Sequence, residues 1–206
     1  MKNIILASKS PRRIEMLGKY VKNIIVCPSD TKEIVNENDF PKITVMKIAL
    51  AKALAVGEKC SDKGIIISAD TVVYLDRIMG KPQNYTEGYE MLKLLSGKIH
   101  SVFTGVCIID SENNKRIVDY EETTVEFNEL TDDLIIKYLD TGEFKDKAGA
   151  YGIQGYGELF VKAIHGCYNN VKGLPLTKLN NLLTKHFLLI CFKTITLHIG
   201  GQNGQY

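Results

Sequence analysis

The sequence predicts an α/β fold in which a mixed central sheet is flanked by helices, and three observations carry that prediction. Strand-like and helix-like segments alternate from residue 2 to residue 68. The run "GIIIS" at 64–68 is continuous and β-branched, the composition of a strand covered on both faces. Two long segments at 99–109 and 116–127 then follow one another closely enough to pair antiparallel, so parallel and antiparallel strands share one sheet.

The elements follow in order. A strand at 2–7 leads through a polar turn into a helix that starts at Pro11, with Ser10 as its N-cap and Ile14 and Leu17 on its apolar face. A strand near 23–27 and a long apolar helix over about 43–57 precede the buried strand at 64–68. After "TVVYL" and "RIMG" comes a helix over 86–95, with Thr86 as N-cap and Gly97 as its stop, then the two long strands and a helix at 131–140 capped by Thr131. Residues 145–175 are rich in glycine and polar aromatics, which calls for tight turns or close backbone approach to a ligand. A terminal helix starts at Pro175. The tail after His186 reads as a strand pair or a frayed end, with its last six residues disordered.

Composition narrows the function classes. A chain of 206 residues that is 45% hydrophobic can bury a real core in one domain or two tightly associated lobes. Its 26 basic and 24 acidic residues leave a net charge of +2, too balanced for a nucleic-acid polymer or an anionic membrane as main partner. Five scattered cysteines without a C-x-x-C pair indicate neither a disulfide framework nor a structural zinc site, and a reducing cytoplasm is expected. The opening "MKNIILASKS" is too short in apolar residues for a signal peptide, and no stretch approaches the ~20 apolar residues of a spanning helix.

Local charge therefore carries the functional reading. Arg12 and Arg13 sit in the first turn of a helix, where the dipole disfavours cations. They are either solvated surface charge or, with Ser8, Ser10 and the free backbone N–H groups, a cradle for phosphate. Asp70, directly after the buried strand, stands where α/β sheets place their sites; it either caps a turn with Thr71 or serves as a proton acceptor or metal ligand. Lys52 interrupts the apolar "IALAKALAV", so its ammonium either snorkels to solvent or faces a polar cleft. Lys81 lies in the "MGKPQN" turn, and Glu33 ends the "PSDTKE" turn as a solvated loop residue or a second carboxylate for metal. Gln154, between glycines in "YGIQGYG", is either a turn residue or an amide suited to a base edge. The four histidines lack metal-binding spacing, and no G-x-S-x-G element is present.

Taken in order, "LASKSPRR", "KIALAKA", "SADTVV", "GKPQN", "MLKLLSGKIHSVFTGV" and "DKAGAYGIQGYGELFVKAIHGCYNNVKGLPL" resemble the Maf family of nucleoside triphosphate pyrophosphatases, also called septum formation inhibitors. The resemblance runs from residue 2 to about 186 and leaves 187–206 as an atypical C-terminal tail outside a 1–186 domain. It implies two lobes around a deep nucleotide-binding cleft, hydrolysis of a nucleoside triphosphate to monophosphate and pyrophosphate, a divalent cation (magnesium or manganese), and a homodimer. By the same resemblance Asp70 is the proton acceptor. Ser8, Arg12, Arg13, Glu33, Lys52 and Lys81 are substrate or metal contacts, with Glu33 and Asp70 as the metal ligands, and Arg12, Thr71 and Gln154 match positions tied to substrate choice. "YGIQG", "SPRR" and "GKP" look like the branch acting on dTTP and UTP. Alternatives are a 7-methyl-GTP or ITP/XTP pyrophosphatase, or a nucleotide-binding regulator of cell division without turnover.

Overall fold

The computed structural model describes residues 2–33, 35 and 39–189. The expectations for the tail from 190 onward lie outside these residues. The chain runs β1 (Asn3–Leu6), α1 (Pro11–Gly18), β2 (Ile24–Val26), α2 (Pro41–Lys59), β3 (Gly64–Leu75), β4 (Arg77–Met79), α3 (Tyr85–Leu95), β5 (Ile99–Asp110), β6 (Arg116–Phe127), α4 (Asp132–Asp140), β7 (Val161–His165), α5 (Tyr168–Val171) and α6 (Leu176–Phe187). Three 3-10 turns, at Glu143–Asp146, Ala148–Ala150 and Gly155–Phe160, fill the glycine-rich stretch before β7.

The sheet order is β2-β1-β3-β5-β6-β7, with β4 paired to β3. β1 is parallel to both β2 and β3, and every other pairing is antiparallel, so the sheet is mixed as expected. Among the described residues no helix is long and apolar enough to cross a membrane.

Three local expectations need correction. The strand starting at Gly64 does not stop at Ser68: it continues for 12 residues to Leu75, so Asp70 lies in mid-strand rather than after one. The cap of α3 is Asn84, not Thr86; its side chain accepts from the Glu87 N–H at 2.9 Å, while the Glu87 carboxylate accepts from the Gln83 N–H at 2.7 Å. Ser10 does hold the N-cap position of α1, with Pro11 first in the helix, but its side chain caps nothing.

Strand alternation on β3 and β5 explains where the cores lie. Even-numbered residues of β3 face α2: Ser68 Oγ donates to the Ala49 carbonyl at 2.6 Å, Asp70 meets Lys52, and Val72 packs with Val45. On the opposite face, Ile65, Ile67 and Ala69 join Met16 and Leu17 of α1 and Leu179 and Leu183 of α6 in one core. Val73 belongs to a second core with Leu92, Leu95, Tyr138 and Leu139 of α3 and α4. On β5, Val106 and Ile108 belong to the first core and Val102 to the second. The positions left between the cores are Thr71 and Thr104, direct cross-strand partners.

The covering helix α2 is seated by a glycine. Gly105 pairs with Asp70 across the strands, and a Cβ there would lie 2.3 Å from the Val45 carbonyl oxygen of α2. Only the missing side chain lets the helix backbone come down onto β5. Gly105→Ala is therefore expected to destabilise the fold by about 1–3 kcal/mol, the usual cost of forcing extra volume into a packed interface. Chemical denaturation of the purified variant measures it, and an unchanged midpoint would mean that α2 is not held at this contact.

Candidate active site

Where the two cores part along β3 lies a cleft of about 730 Å³, lined from both faces of that strand, by Asp70 on one and Thr71 on the other. All nine residues singled out in the sequence line it: Ser8, Arg12, Arg13, Glu33, Lys52, Asp70, Thr71, Lys81 and Gln154. They arrive from the β1–α1 turn, the first turn of α1, the loop after β2, α2, β3, the turn after β4 and the glycine-rich stretch. Lys9, Lys147 and Lys172 also line the cleft, giving seven cations against four carboxylates, Asp30 and Asp146 being the others.

The charged centre is a chain of ion pairs. Lys52 Nζ lies 2.6 Å from Asp70 Oδ1 and 2.8 Å from Glu33 Oε1, and Lys81 Nζ reaches the same Glu33 oxygen at 3.2 Å. Lys52 and Asp70 are 8% and 5% exposed, so of the two dispositions open to Lys52 the cleft-facing one holds. Burial pulls the Glu33 carboxyl upward, but the charges and hydrogen bonds of Lys52 and Lys81 outweigh it and hold it down at about 2. Asp70 Oδ1 is engaged by Lys52, whereas Oδ2 has no partner among the described residues.

The arginines divide their work. Arg13 donates through Nε to the Gly173 carbonyl at 2.7 Å and through Nη2 to Thr71 Oγ1 at 3.0 Å. Burial lowers its pKa while Asp70 pulls it back, and a guanidinium remains a cation under both. Among the described residues Arg12 makes only a long 3.4 Å bond, to the Asp146 carbonyl. Beside them, the Ser10 N–H donates to Ser8 Oγ at 3.2 Å.

The wall carrying Gln154 is braced from below. Tyr151 is buried, its hydroxyl 2.8 Å from His100 Nε2, and burial holds His100 down at about 4, so it is neutral near pH 7. The Tyr156 N–H donates to Glu143 Oε2 at 3.1 Å, and Lys147 Nζ donates to the Glu143 carbonyl. Burial and the Arg12 charge lower the pKa of Lys147. Sequence reasoning missed Lys147, Glu143, Thr104 and Asn170. Lys147, Thr104 and Asn170 lie inside the strings quoted above and Glu143 outside them, but the parts they play are recognisable only once strand register and turn packing are known.

A mixed α/β fold with a cation-rich cleft and a buried carboxylate at its centre defines a protein that handles a phosphorylated small molecule. The sequence model of the family described as Maf-like protein matches residues 3–186, and the chain belongs to that family. It is 46% identical over 190 residues to a protein of Caldicellulosiruptor saccharolyticus named dTTP/UTP pyrophosphatase, covering 90% of this chain and 95% of that one. A protein of the same name from Alkaliphilus oremlandii is 50% identical over 188 residues, covering 91% and 97%. Among solved structures, the Ham1 protein of Staphylococcus aureus aligns with 76% of this chain and 78% of its own at a TM-score of 0.45 and 14% identity, a likeness too remote to bear on activity.

Glu33 offers a direct test of the ion-pair chain. Its folded pKa lies below its ordinary value of 4.5, so it contributes stability that is fully present above that value and is lost as the pH falls toward about 2. Removing one cation in Lys81→Gln is expected to move the Glu33 carboxyl midpoint upward, as followed by carbon-detected NMR titration. An unmoved midpoint would take Lys81 out of the chain.

Proposed function

We propose that this protein hydrolyses dTTP and UTP to the nucleoside monophosphate and pyrophosphate, as a house-cleaning activity in the cytoplasm. The observation that carries the reading is Asp70: a buried carboxylate with one oxygen fixed by Lys52 and the other open, in a cleft whose walls carry an excess of positive charge. The names of the curated relatives supply the nucleotide. Among the described residues the cysteines, Cys27, Cys60, Cys107 and Cys167, are free, in accord with a reducing compartment.

In this reading a water molecule donates a hydrogen bond to Asp70 Oδ2 and attacks the α-phosphorus. Its proton passes to the carboxylate as the new P–O bond forms, and the bond from the α-phosphorus to the bridging oxygen breaks, releasing pyrophosphate. Lys52 fixes the direction of the carboxylate. Arg13, Lys52, Lys81 and Ser8 are oriented before substrate arrives, so the charge that develops on the leaving group meets donors already in place.

The residues also fit a divalent cation brought in with the substrate. Among the described residues no group of three Asp, Glu, His or Cys side chains is placed to hold a metal, but magnesium takes one or two carboxylates together with phosphate oxygens and waters. Glu33 and Asp70 would be those carboxylates, and the ion, magnesium or manganese, would supply further neutralisation of phosphate charge.

The experiment is steady-state pyrophosphate release from dTTP, UTP, CTP, GTP, 7-methyl-GTP and ITP, with equilibrium binding measured in parallel. Asp70→Asn is expected to lower turnover of dTTP and UTP by at least about a hundredfold, the scale of a lost general base, while nucleotide still binds. Near-normal turnover in that variant would remove Asp70 from this role. Binding without turnover in the wild type would favour a regulator, and preference for a purine triphosphate would replace the substrate. Sedimentation of the same preparation tests the homodimer.

A further inference from the structure

Thr71 and Thr104 occupy the polar seam between the two apolar cores, and their hydroxyl protons can be counted. Thr71 Oγ1 accepts from Arg13 Nη2 at 3.0 Å and lies 2.9 Å from Thr104 Oγ1. Thr104 Oγ1 in turn lies 3.1 Å from the Asn170 carbonyl oxygen, which can only accept. The turn is closed by the Gly173 N–H, which donates to the same Asn170 carbonyl at 2.8 Å, and by the Gly173 carbonyl, which accepts from Arg13 Nε at 2.7 Å. Five bonds thus form a ring through Arg13, Thr71, Thr104, Asn170 and Gly173.

Each threonine has one proton to give. If Thr104 donates to Asn170, Thr71 donates to Thr104 and every bond of the ring is made. If Thr104 instead donates to Thr71, the bond to Asn170 is lost. Thr104 and Asn170 are both 0% exposed, so water cannot replace that bond, and the first arrangement prevails. Asn170 is held in place independently, its Nδ2 donating to the Val102 carbonyl at 2.9 Å and to Thr123 Oγ1 at 3.0 Å. The ring therefore consumes the Thr71 proton and one of its two lone pairs. What Thr71 has left for the cleft is a single acceptor site.

The surroundings say what meets it. Thr71 is on the face of β3 opposite the Lys52–Asp70 pair, and Val73, Val102, Tyr151 and Val171 bring to the cleft apolar surface suited to a nucleobase. Arg12 and Gln154 also line the cleft and bring donors for carbonyl oxygens.

We propose that Thr104 is a positioning residue for base selection: by taking the Thr71 proton it makes Thr71 an acceptor only, so the cleft favours a base presenting a ring N–H between two carbonyls over one presenting a bare ring nitrogen. The imide edge of uracil and thymine has that pattern; the N3 edge of cytosine does not. The inference rests on the proposed pyrimidine triphosphate reading and assigns its selectivity to a residue that touches no substrate.

The test compares UTP, CTP and 3-methyl-UTP in wild type, Thr104→Val and Thr104→Ser, by kcat/KM for pyrophosphate release and by equilibrium binding. Wild type is expected to prefer UTP over both CTP and 3-methyl-UTP. Thr104→Val frees the Thr71 proton to point into the cleft, and the UTP-to-CTP ratio is expected to fall by about fivefold to tenfold, the worth of one hydrogen bond. Thr104→Ser restores the ring and the ratio. Parallel losses for UTP and CTP at a constant ratio would overturn the proposal, as would a change confined to dTTP against UTP, which would place Thr71 at the sugar. Equal handling of UTP and 3-methyl-UTP by the wild type would overturn it without any variant. If no nucleotide is turned over, the catalytic reading fails by itself, and the binding ratios still decide the role of Thr104.

Discussion

β3 is long enough to be shared by two cores, and the cleft exists because the cores do not meet along it. From Ile65 to Ala69 its outer face belongs to the core of α1 and α6, and from Val73 onward to the core of α3 and α4. Only one residue of that face falls between, Thr71, with Thr104 beside it on β5. On the other face a single helix, α2, spans the same region. A strand buried over most of its length offers little water to a polar side chain, so the polar groups at the seam take protein partners. Asp70 finds Lys52, and Thr71 finds Arg13 and Thr104. The seam is thus rigid before any ligand is present.

The Lys52–Asp70 pair is not there for stability. Two charges withdrawn from water recover little net free energy from each other, and apolar residues of the same volume would commonly serve the fold as well or better. Removing one partner alone is the costly change, because it strands the other charge. The pair makes chemical sense instead: the ammonium fixes one carboxylate oxygen and leaves the second without a partner among the described residues. Glu33 extends the same logic outward, sharing Lys52 and Lys81 and carrying negative charge across the whole pH range in which the protein would work.

How far the sequence reveals this depends on whether a signal is local. The alternation of elements, the two long strands and the cap at Thr131 all rest on contacts within a few residues, and each stands in the structure. The continuation of β3 through "SADT" was hidden because polar residues in a central strand look like its end. What permits them is Lys52, 18 residues earlier on a helix, and Thr104, 33 residues later on the next strand. Asn84 and Thr86 both suit an N-cap; Glu87 decides between them, because it lies at the third helical position counted from Asn84. All nine candidate residues share the cleft, yet the sequence indicated only that they carry the right chemistry. Which of them touch, and that Thr104 and Asn170 stand behind them, depends on register.

Arg12 and Arg13 show why adjacency in sequence does not mean equivalence in function. Neighbours on a helix diverge by about 100° around its axis, so one arginine turns into the seam and the other along its rim. Arg13 is fixed by two short bonds, to Gly173 and Thr71, and its remaining donors are oriented with no further loss of side-chain freedom when an anion binds. Arg12, with a single 3.4 Å bond to the Asp146 carbonyl, keeps most of its rotamer freedom and can follow ligands of different shape. A rigid cation suits the part of the substrate common to every nucleotide, and an adjustable one the part that varies. The helix dipole disfavours both arginines where they stand. An anion bound between them and the free N–H groups of the first turn reverses that sign, so the local electrostatic cost in the free protein becomes part of the driving force for binding.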